Sequence, residues 1–166
     1  LDLVEYLLSK VNKKKKKIPR SQIKALIFDF DGVLTNNKVI VNEDGKESVI
    51  CDRSDSIGIS KLKELGILMF ILSSEKNSVV QKRGKKLGIN VVSGAINKKL
   101  QIEKICKNFN IETKNIVFVG NDINDLEAMK VVGFSLAVND AAEEIKDVAS
   151  VVLCSYGGDL VAREIY

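Results

Sequence analysis

The sequence predicts an α/β fold in which helices cover both faces of a central parallel sheet. Short unbroken apolar runs, such as "ILMFILS" at 67–73, are typical of strands that are buried on both faces. These runs alternate along the chain with segments of helical periodicity. The 166 residues, 45% of them hydrophobic, are enough to bury one core. We therefore expect a single sheet domain over residues 21–166.

The elements follow one another without an internal repeat. Strands are expected at 23–29, 67–73, 89–94, 115–120, 134–138 and 150–154. Helices are expected at 56–66, 77–88, 97–110, 125–133, 141–149 and 160–166. Two extended runs about an Asp-Gly pair predict a β-hairpin within 39–50. On the third helix, Leu100, Ile105 and Phe109 are expected on or near one apolar face.

The net charge of +4 comes from the beginning of the chain. Residues 1–20 carry seven basic and two acidic side chains, so the rest of the chain is close to neutral. We interpret the lysine-rich stretch, which Pro19 closes, as a solvated linker, because no aromatic residue interleaves it for stacking on bases. No apolar run reaches the ~18 residues of a membrane span. We therefore expect neither a nucleic-acid partner nor a membrane partner.

Cysteine and histidine usage narrows the chemistry. Cys51, Cys106 and Cys154 are widely spaced and odd in number, which is typical of reduced thiols and indicates a cytoplasmic protein. The chain has no histidine. Its absence excludes Ser-His and Cys-His nucleophilic systems and every metal site that uses histidine.

Acidic clusters follow two of the predicted strands. Asp29 and Asp31 end the first strand, and "GNDIND" at 120–125 ends a later one. Because ligands of such sheets bind beyond the carboxyl ends of the strands, we expect these clusters to meet there with Ser73 and Lys98. Carboxylates for Mg²⁺, with a hydroxyl and an ammonium for phosphate oxygens, are the groups that phosphoryl transfer uses. Without histidine, the nucleophile is expected to be a carboxylate that forms an aspartyl phosphate.

These motifs resemble those of the haloacid dehalogenase (HAD) superfamily of phosphatases. All four motifs occur in order: "DFDGVLT", Ser73 in "ILSSE", Lys98 in "NKK", and "GNDIND". The resemblance spans residues 21–166 and implies a three-layer, Rossmann-like fold. The hairpin, "RSDSIGI" at 53–59 and "YGGDLVARE" near the end are similar to the group without a cap domain that acts on phosphorylated keto-sugar acids. We therefore expect no cap domain and a protruding hairpin.

The resemblance implies a role for each matching residue. Asp29 would attack phosphorus, and Asp31 would protonate the leaving hydroxyl and later deprotonate the hydrolytic water. Ser73 and Lys98 would bind the phosphoryl oxygens. Mg²⁺ would be held by Asp29, Asp31, Asn121 and Asp122, with Asn124 and Asp125 behind them. Many of these phosphatases have Asp where this chain has Asn121, whose amide brings no charge, so we expect weaker metal binding.

The substrate residues that the resemblance implies are Ser54, Asp55, Ser74, Glu75, Arg83 and Lys86. Members that act on the eight-carbon keto-sugar acid often show Thr-Gly-Arg at 73–75. Those that act on nine-carbon, sialic-type acids tend to show Glu at the last of these positions and Lys on the following helix, as Glu75 and Lys86 do here. Arg83, one turn before Lys86, suits a substrate carboxylate. We therefore expect a sialic-type 9-phosphate as substrate, with the eight-carbon 8-phosphate as an alternative.

The first residues point to a larger enzyme. "LDLVEYLLSK" at 1–10 predicts an amphipathic helix similar to the last helix of acylneuraminate cytidylyltransferases. We expect the chain to be the C-terminal domain of such an enzyme, with a cytidylyltransferase domain as its N-terminal partner. A competing hypothesis is a weakly active or inactive assembly module, in which the hairpin at 38–51 pairs with neighbouring copies and builds a homotetramer. The pair Asp29 and Asp31 favours an enzyme, whereas Asn121 favours the module.

Overall fold

The computed structural model describes residues 19–166, so the expected N-terminal helix and most of the expected linker lie outside the described residues. The strands are β1 (Ala25–Phe28), β2 (Val39–Val41), β3 (Glu47–Val49), β4 (Leu68–Leu72), β5 (Asn90–Val92), β6 (Ile116–Gly120), β7 (Phe134–Ala137) and β8 (Val151–Val152). The helices are α1 (Asp55–Glu64), α2 (Ser78–Leu87), α3 (Lys98–Phe109), α4 (Leu126–Val131), α5 (Glu143–Val148) and α6 (Val161–Ile165).

Six strands form one parallel sheet in the order β5-β4-β1-β6-β7-β8. The chain moves outward from β1 through β4 to β5, crosses back past β1 to β6, and then moves outward through β7 to β8. Since crossovers between parallel strands are right-handed, the helices of the two directions lie on opposite faces. Helix α6 packs against α1, and α4 packs against both α3 and α5. The predicted α/β architecture with a central parallel sheet is therefore confirmed.

The sheet is buried because its strands are apolar on both faces. All four residues of β1 are buried, and Phe28 is in register with Ile71 of β4 and Val119 of β6. The largest fully buried side chains include Phe30 and Phe118. This register brings the carboxyl ends of the three central strands to the same level, which is where polar residues follow each of them.

Helix α3 buries part of the face that we expected. Ile105 is buried and the ring of Phe109 packs edge-on against buried Phe70, whereas Leu100 lies off this face. Lys98, Ile102 and Ile105 are its buried residues, whereas Leu100 is 44% exposed and Phe109 is 41% exposed. The spacing of the apolar residues was compatible with more than one face. The ion pairs that Lys98 forms in the interior, described below, select the observed face.

Strands β2 and β3 form the predicted protruding hairpin, which lies apart from the six-stranded sheet. Gly45, with φ of +76°, occupies the turn where a left-handed backbone is required. On its outer side, Ile40 is 55% exposed, and Ile50 just after β3 is 56% exposed. Within residues 19–166, the chain has no inserted cap domain. No helix in this part of the chain is both long and apolar enough to cross a lipid bilayer.

Candidate active site

The carboxyl ends of β4, β1 and β6 form one wall of a cavity of about 250 Å³. Its lining residues are Asp29, Asp31, Asn37, Ser74, Glu75, Asn121, Asp122, Ile123 and Asn124. Five predicted site residues after β1 and β6 and two after β4 therefore line this cavity, and Asp125 and Ser73 are buried directly behind its wall. The convergence follows from the strand order, since β1 lies between the other two strands.

A buried cluster of three charged side chains lies at the base of this cavity. Nζ of Lys98 is 2.7 Å from Oδ1 of Asp29 and 2.7 Å from Oδ1 of Asp125. Oδ1 of Asp29 also accepts a hydrogen bond from the backbone N–H of Phe30 at 2.7 Å. Oδ2 of Asp125 accepts from the backbone N–H of Asn121 at 2.9 Å. Asp125 therefore fixes both Lys98 and the loop after β6.

Burial and neighbouring charges shift the pKa values of two acidic groups at the cavity, Asp29 and Asp31. Burial raises the pKa of Asp29 to about 7, and the charge of Asp125 acts in the same direction against that of Lys98. Partial burial also raises the pKa of Asp31, and the negative charges of Glu75 and Glu47 raise it further. A carboxyl that keeps its proton longer than an exposed one is suited to general acid catalysis.

Lys98 is kept charged although it is buried. Burial alone would lower the pKa of Lys98, but the charges of Asp29 and Asp125 outweigh it and raise that pKa. Lys98 therefore holds a fixed positive charge next to the group expected to act as nucleophile.

The side-chain amide of Asn121 lies between Asp29 and Asp31. One terminal atom of this amide is 3.2 Å from Oδ2 of Asp29 and 3.1 Å from the carbonyl oxygen of Asp31. With nitrogen at this position, the amide donates hydrogen bonds to both oxygens. With oxygen there, the amide oxygen lies about 3 Å from each of these two oxygens, which is the separation of neighbouring ligands around an octahedral Mg²⁺. The donor set therefore fits Mg²⁺ once the amide turns its oxygen inward.

Gly32 makes room for this amide. Its φ is +81°, and a Cβ atom at this position would overlap the side chain of Asn121. The hydroxyl of Thr35 accepts hydrogen bonds from the backbone N–H groups of Gly32 at 3.1 Å and Asn37 at 3.3 Å and shapes the same loop. The "DGVLT" motif thus holds the Asp31 carbonyl toward the cavity.

Ser73, Ser74 and Asp122 lie around the cavity in different ways. Ser73 is buried, and its hydroxyl accepts a hydrogen bond from the backbone N–H of Glu75 at 3.1 Å, which leaves its own hydrogen available to donate. Ser74 donates to the carbonyl of Ala95 at 3.3 Å. Asp122 accepts from the N–H of Ile123 at 2.7 Å, so the carboxylate that we expected to bind metal is engaged in capping a short 3₁₀ turn.

Four predicted substrate residues do not line this cavity: Ser54, Asp55, Arg83 and Lys86. The expectation of substrate contact is corrected most clearly for Asp55, which is fully buried and accepts a hydrogen bond from the backbone N–H of Ala162 at 2.9 Å. Burial raises the pKa of Asp55 to about 6. The carboxyl therefore joins α1 to the start of α6 instead of meeting a ligand.

The other three predicted substrate residues either form hydrogen bonds within the protein or lie away from the cavity. Ser54 bonds to Asp52 through both its backbone N–H and its hydroxyl, at 2.8 and 2.6 Å. Arg83 donates to the carbonyl oxygen of Asp52 at 2.6 Å. Lys86 is exposed on α2. Asn37 and Glu47, which no sequence motif identified, lie at the cavity or beside it.

The fold and this site define a hydrolase of the three-layer α/β class. The family model for haloacid dehalogenase-like hydrolases matches residues 59–165, and the chain belongs to this family.

Curated relatives and solved structures agree with this assignment. The 3-deoxy-D-manno-octulosonate 8-phosphate phosphatase KdsC of Escherichia coli K12 is 31% identical over 144 residues, which are 86% of this chain and 77% of that protein. KdsC of Haemophilus influenzae is 29% identical over 86% of this chain and 80% of its own length. The Moraxella catarrhalis phosphatase of the same name, solved with magnesium, phosphate and KDO, matches with a TM-score of 0.85 and 28% identity over 92% of this chain and 86% of that one. These relatives confirm the predicted class, a HAD-type phosphatase that uses magnesium.

Proposed function

We propose that this protein is a Mg²⁺-dependent phosphatase that hydrolyses the phosphate ester of a keto-deoxy sugar acid. The observation that carries the proposal is the buried Asp29–Lys98–Asp125 cluster beneath a cavity that also presents Asp31 and the Asn121 amide. Burying three charged groups costs free energy, and a fold retains such a cluster where chemistry uses it.

The proposed reaction has two steps. In the first, a carboxylate oxygen of Asp29 forms a bond to phosphorus while the ester P–O bond breaks, and Asp31 gives its proton to the leaving oxygen. In the second, water attacks the phosphorus of the aspartyl phosphate and loses a proton to Asp31. The bond between Asp29 and phosphorus breaks, which releases phosphate and restores both carboxyl groups.

Lys98, Ser73 and a bound Mg²⁺ would stabilise the negative charge of the phosphoryl group in both steps. Lys98, fixed by two carboxylates, and the hydroxyl of Ser73 would bind phosphoryl oxygens. Mg²⁺, held by Oδ2 of Asp29, the Asp31 carbonyl and the Asn121 amide oxygen, would neutralise charge on the phosphoryl group and favour the ionised form of Asp29.

The relatives support the eight-carbon substrate, 3-deoxy-D-manno-octulosonate 8-phosphate, over the sialic-type 9-phosphate that we expected from the sequence. Seven curated relatives of this chain are all named as phosphatases of this eight-carbon substrate. The nine-carbon substrate stays a second candidate because Glu75, on which that expectation rests, lines the cavity. Its companion Lys86 does not.

Phosphate release from both sugar-acid phosphates tests the proposal, with and without Mg²⁺, for the parent and for Asp29→Asn. We expect release that requires Mg²⁺, a loss of at least about a thousand-fold in Asp29→Asn, and a higher kcat/KM for the eight-carbon substrate. Asp44→Asn, on the hairpin turn, is the matched control. Equal rates for the parent and Asp29→Asn would refute the proposed phosphatase activity. A preference for the nine-carbon substrate would instead favour the sialic-type substrate that Glu75 suggested.

The hairpin supports a homotetramer as a second element of the proposal. Val39, Ile40 and Val41 are between 52% and 61% exposed, although β-branched apolar residues seldom stay exposed together on a strand. We expect sedimentation to show a tetramer at micromolar concentration, and Ile40→Lys to lower its association. A monomeric parent would contradict this element and would leave the chemistry of Asp29 untouched.

A further inference from the structure

The active-site cavity continues into a second lobe beneath the hairpin. This lobe has a volume of about 300 Å³ and shares Asp31, Asn37 and Glu75 with the first cavity. Because Asp31 is the proposed proton donor to the leaving oxygen, the part of the substrate beyond that oxygen lies on the side of this shared wall. The volume is within the range of small-molecule pockets.

The hairpin supplies one wall through a single face. Val39 is paired with Val49 across the two strands, and Glu47, two residues before Val49, points to the same side. These three residues line the lobe, whereas Ile40 and Ser48, on the opposite face, do not. The register of the hairpin therefore places one carboxylate, that of Glu47, opposite α2.

The lobe combines apolar walls with carboxylates. Val39 and Val49 face Val79 and Val80 at the start of α2. The charged residues that line it are Asp31, Glu47 and Glu75, and none of its lining residues is basic. Carboxylates accept hydrogen bonds from hydroxyl groups, and apolar side chains pack against the C–H groups of a sugar. An anionic group is repelled by the same three residues.

We propose that this second lobe binds the uncharged, polyhydroxylated part of the leaving group, and that Glu47 determines specificity by accepting hydrogen bonds from its hydroxyl groups. The inference rests on the proposed function and extends it. The phosphate lies over Asp29, the hydroxyl-bearing chain lies along Glu47 and Glu75, and the carboxylate of a sugar-acid substrate lies outside the lobe. Strand β3 thus contributes to substrate choice from outside the four motifs.

The test compares a sugar-acid 8-phosphate with p-nitrophenyl phosphate, whose leaving group has no hydroxyl chain. For Glu47→Ala, we expect the ratio of kcat/KM for the sugar phosphate to that for the aryl phosphate to fall about ten-fold, mainly through KM, as the loss of a hydrogen bond to a charged group implies. Glu47→Gln, which keeps one acceptor oxygen, should recover part of the ratio. Glu43→Ala, which removes an equal charge from the hairpin outside the lobe, should leave the ratio unchanged.

The outcomes separate this inference from the proposed function. An unchanged ratio in Glu47→Ala, or an equal fall in Glu43→Ala, overturns the role of Glu47 and leaves the phosphatase intact. A parent protein that cleaves neither ester overturns the proposed function. In that case calorimetric binding of sorbitol 6-phosphate to the parent and to Glu47→Ala decides the lobe, and equal affinities would reject it.

Discussion

Lys98 and Asp29 form an ion pair with 2.7 Å between Nζ and Oδ1, in which only 1% and 5% of the two side chains are exposed. Such a pair loses hydration on both sides, so its stability depends on keeping every partner. Lys98 sits at the start of α3 and Asp29 at the end of β1, and the pair therefore connects the helical layer to the central strand.

Removing this lysine should destabilise the fold as well as the site. Lys98→Met leaves the buried carboxylates of Asp29 and Asp125 without a counter-charge, and we expect a loss of about 3–5 kcal/mol in the free energy of unfolding. Urea unfolding at pH 7.5 measures this loss. Lys99→Met, at the adjacent exposed position, is the control and should stay within about 0.5 kcal/mol of the parent. Similar stability for the two variants would show that the ion pair does not hold the layers together.

Asn121→Asp should increase the affinity for Mg²⁺ and lower the thermal stability of the metal-free protein. The added charge joins the oxygen donors at the proposed metal site, so calorimetry should show about ten-fold or greater gain in Mg²⁺ affinity. In EDTA, the same variant replaces an amide donor with a carboxylate beside Asp29, which should lower the melting temperature. Asn124→Asp adds an equal charge elsewhere on the cavity wall and is the control. If both variants gain equal affinity, Asn121 is not a ligand.

The metal-free protein should lose stability as pH rises from about 4 to about 7. The pKa of Asp29 is raised to about 7 and that of Asp55 to about 6, so between the ordinary value of 3.8 and these values the folded state binds more protons than the unfolded state. The free energy of unfolding then falls with increasing pH. Asp55→Asn removes one contribution, and its stability relative to the parent should rise by about 3 kcal/mol between pH 4 and pH 8.

Denaturant unfolding across this pH range, in EDTA, measures the effect. Glu103→Gln, which neutralises a carboxyl at an exposed position of α3, provides the control. A constant difference for Asp55→Asn would mean that the Asp55 carboxyl titrates alike in the folded and unfolded states.

Gly58→Ala should destabilise the protein although alanine is the better helix former. In α1, a Cβ at this position would overlap the backbone carbonyl of Ala162 at the start of α6. Helix propensity favours alanine by about 1 kcal/mol, but overpacking against backbone costs about 1–3 kcal/mol. We expect a net loss of stability in urea unfolding, with Ser60→Ala on the exposed side of α1 as the control. A gain in both variants would show that the two helices separate easily.

Local sequence patterns were enough to predict the secondary-structure elements and the edge of the sheet at which the site lies. Apolar runs and helical spacing are local properties, and ligands of parallel sheets bind beyond the carboxyl ends of the strands, so Asp29, Ser73 and "GNDIND" could be placed together without coordinates. Lys98 was expected at the same edge because it begins a helix there, and the motif resemblance added its role in binding phosphoryl oxygens.

The hydrogen-bond and ion-pair partners of the polar side chains, by contrast, depend on the packing of distant segments. Asp55 bonds to Ala162, 107 residues away, and Asp125 bonds to Lys98, 27 residues away. No local pattern encodes such contacts, so a sequence motif near "RSDS" suggested a ligand where the fold uses a structural hydrogen bond. The buried face of α3 and the place of Glu47 in the second lobe were decided in the same way. Burial and hydrogen bonding depend on which distant segments pack together, and that is fixed only when the layers assemble.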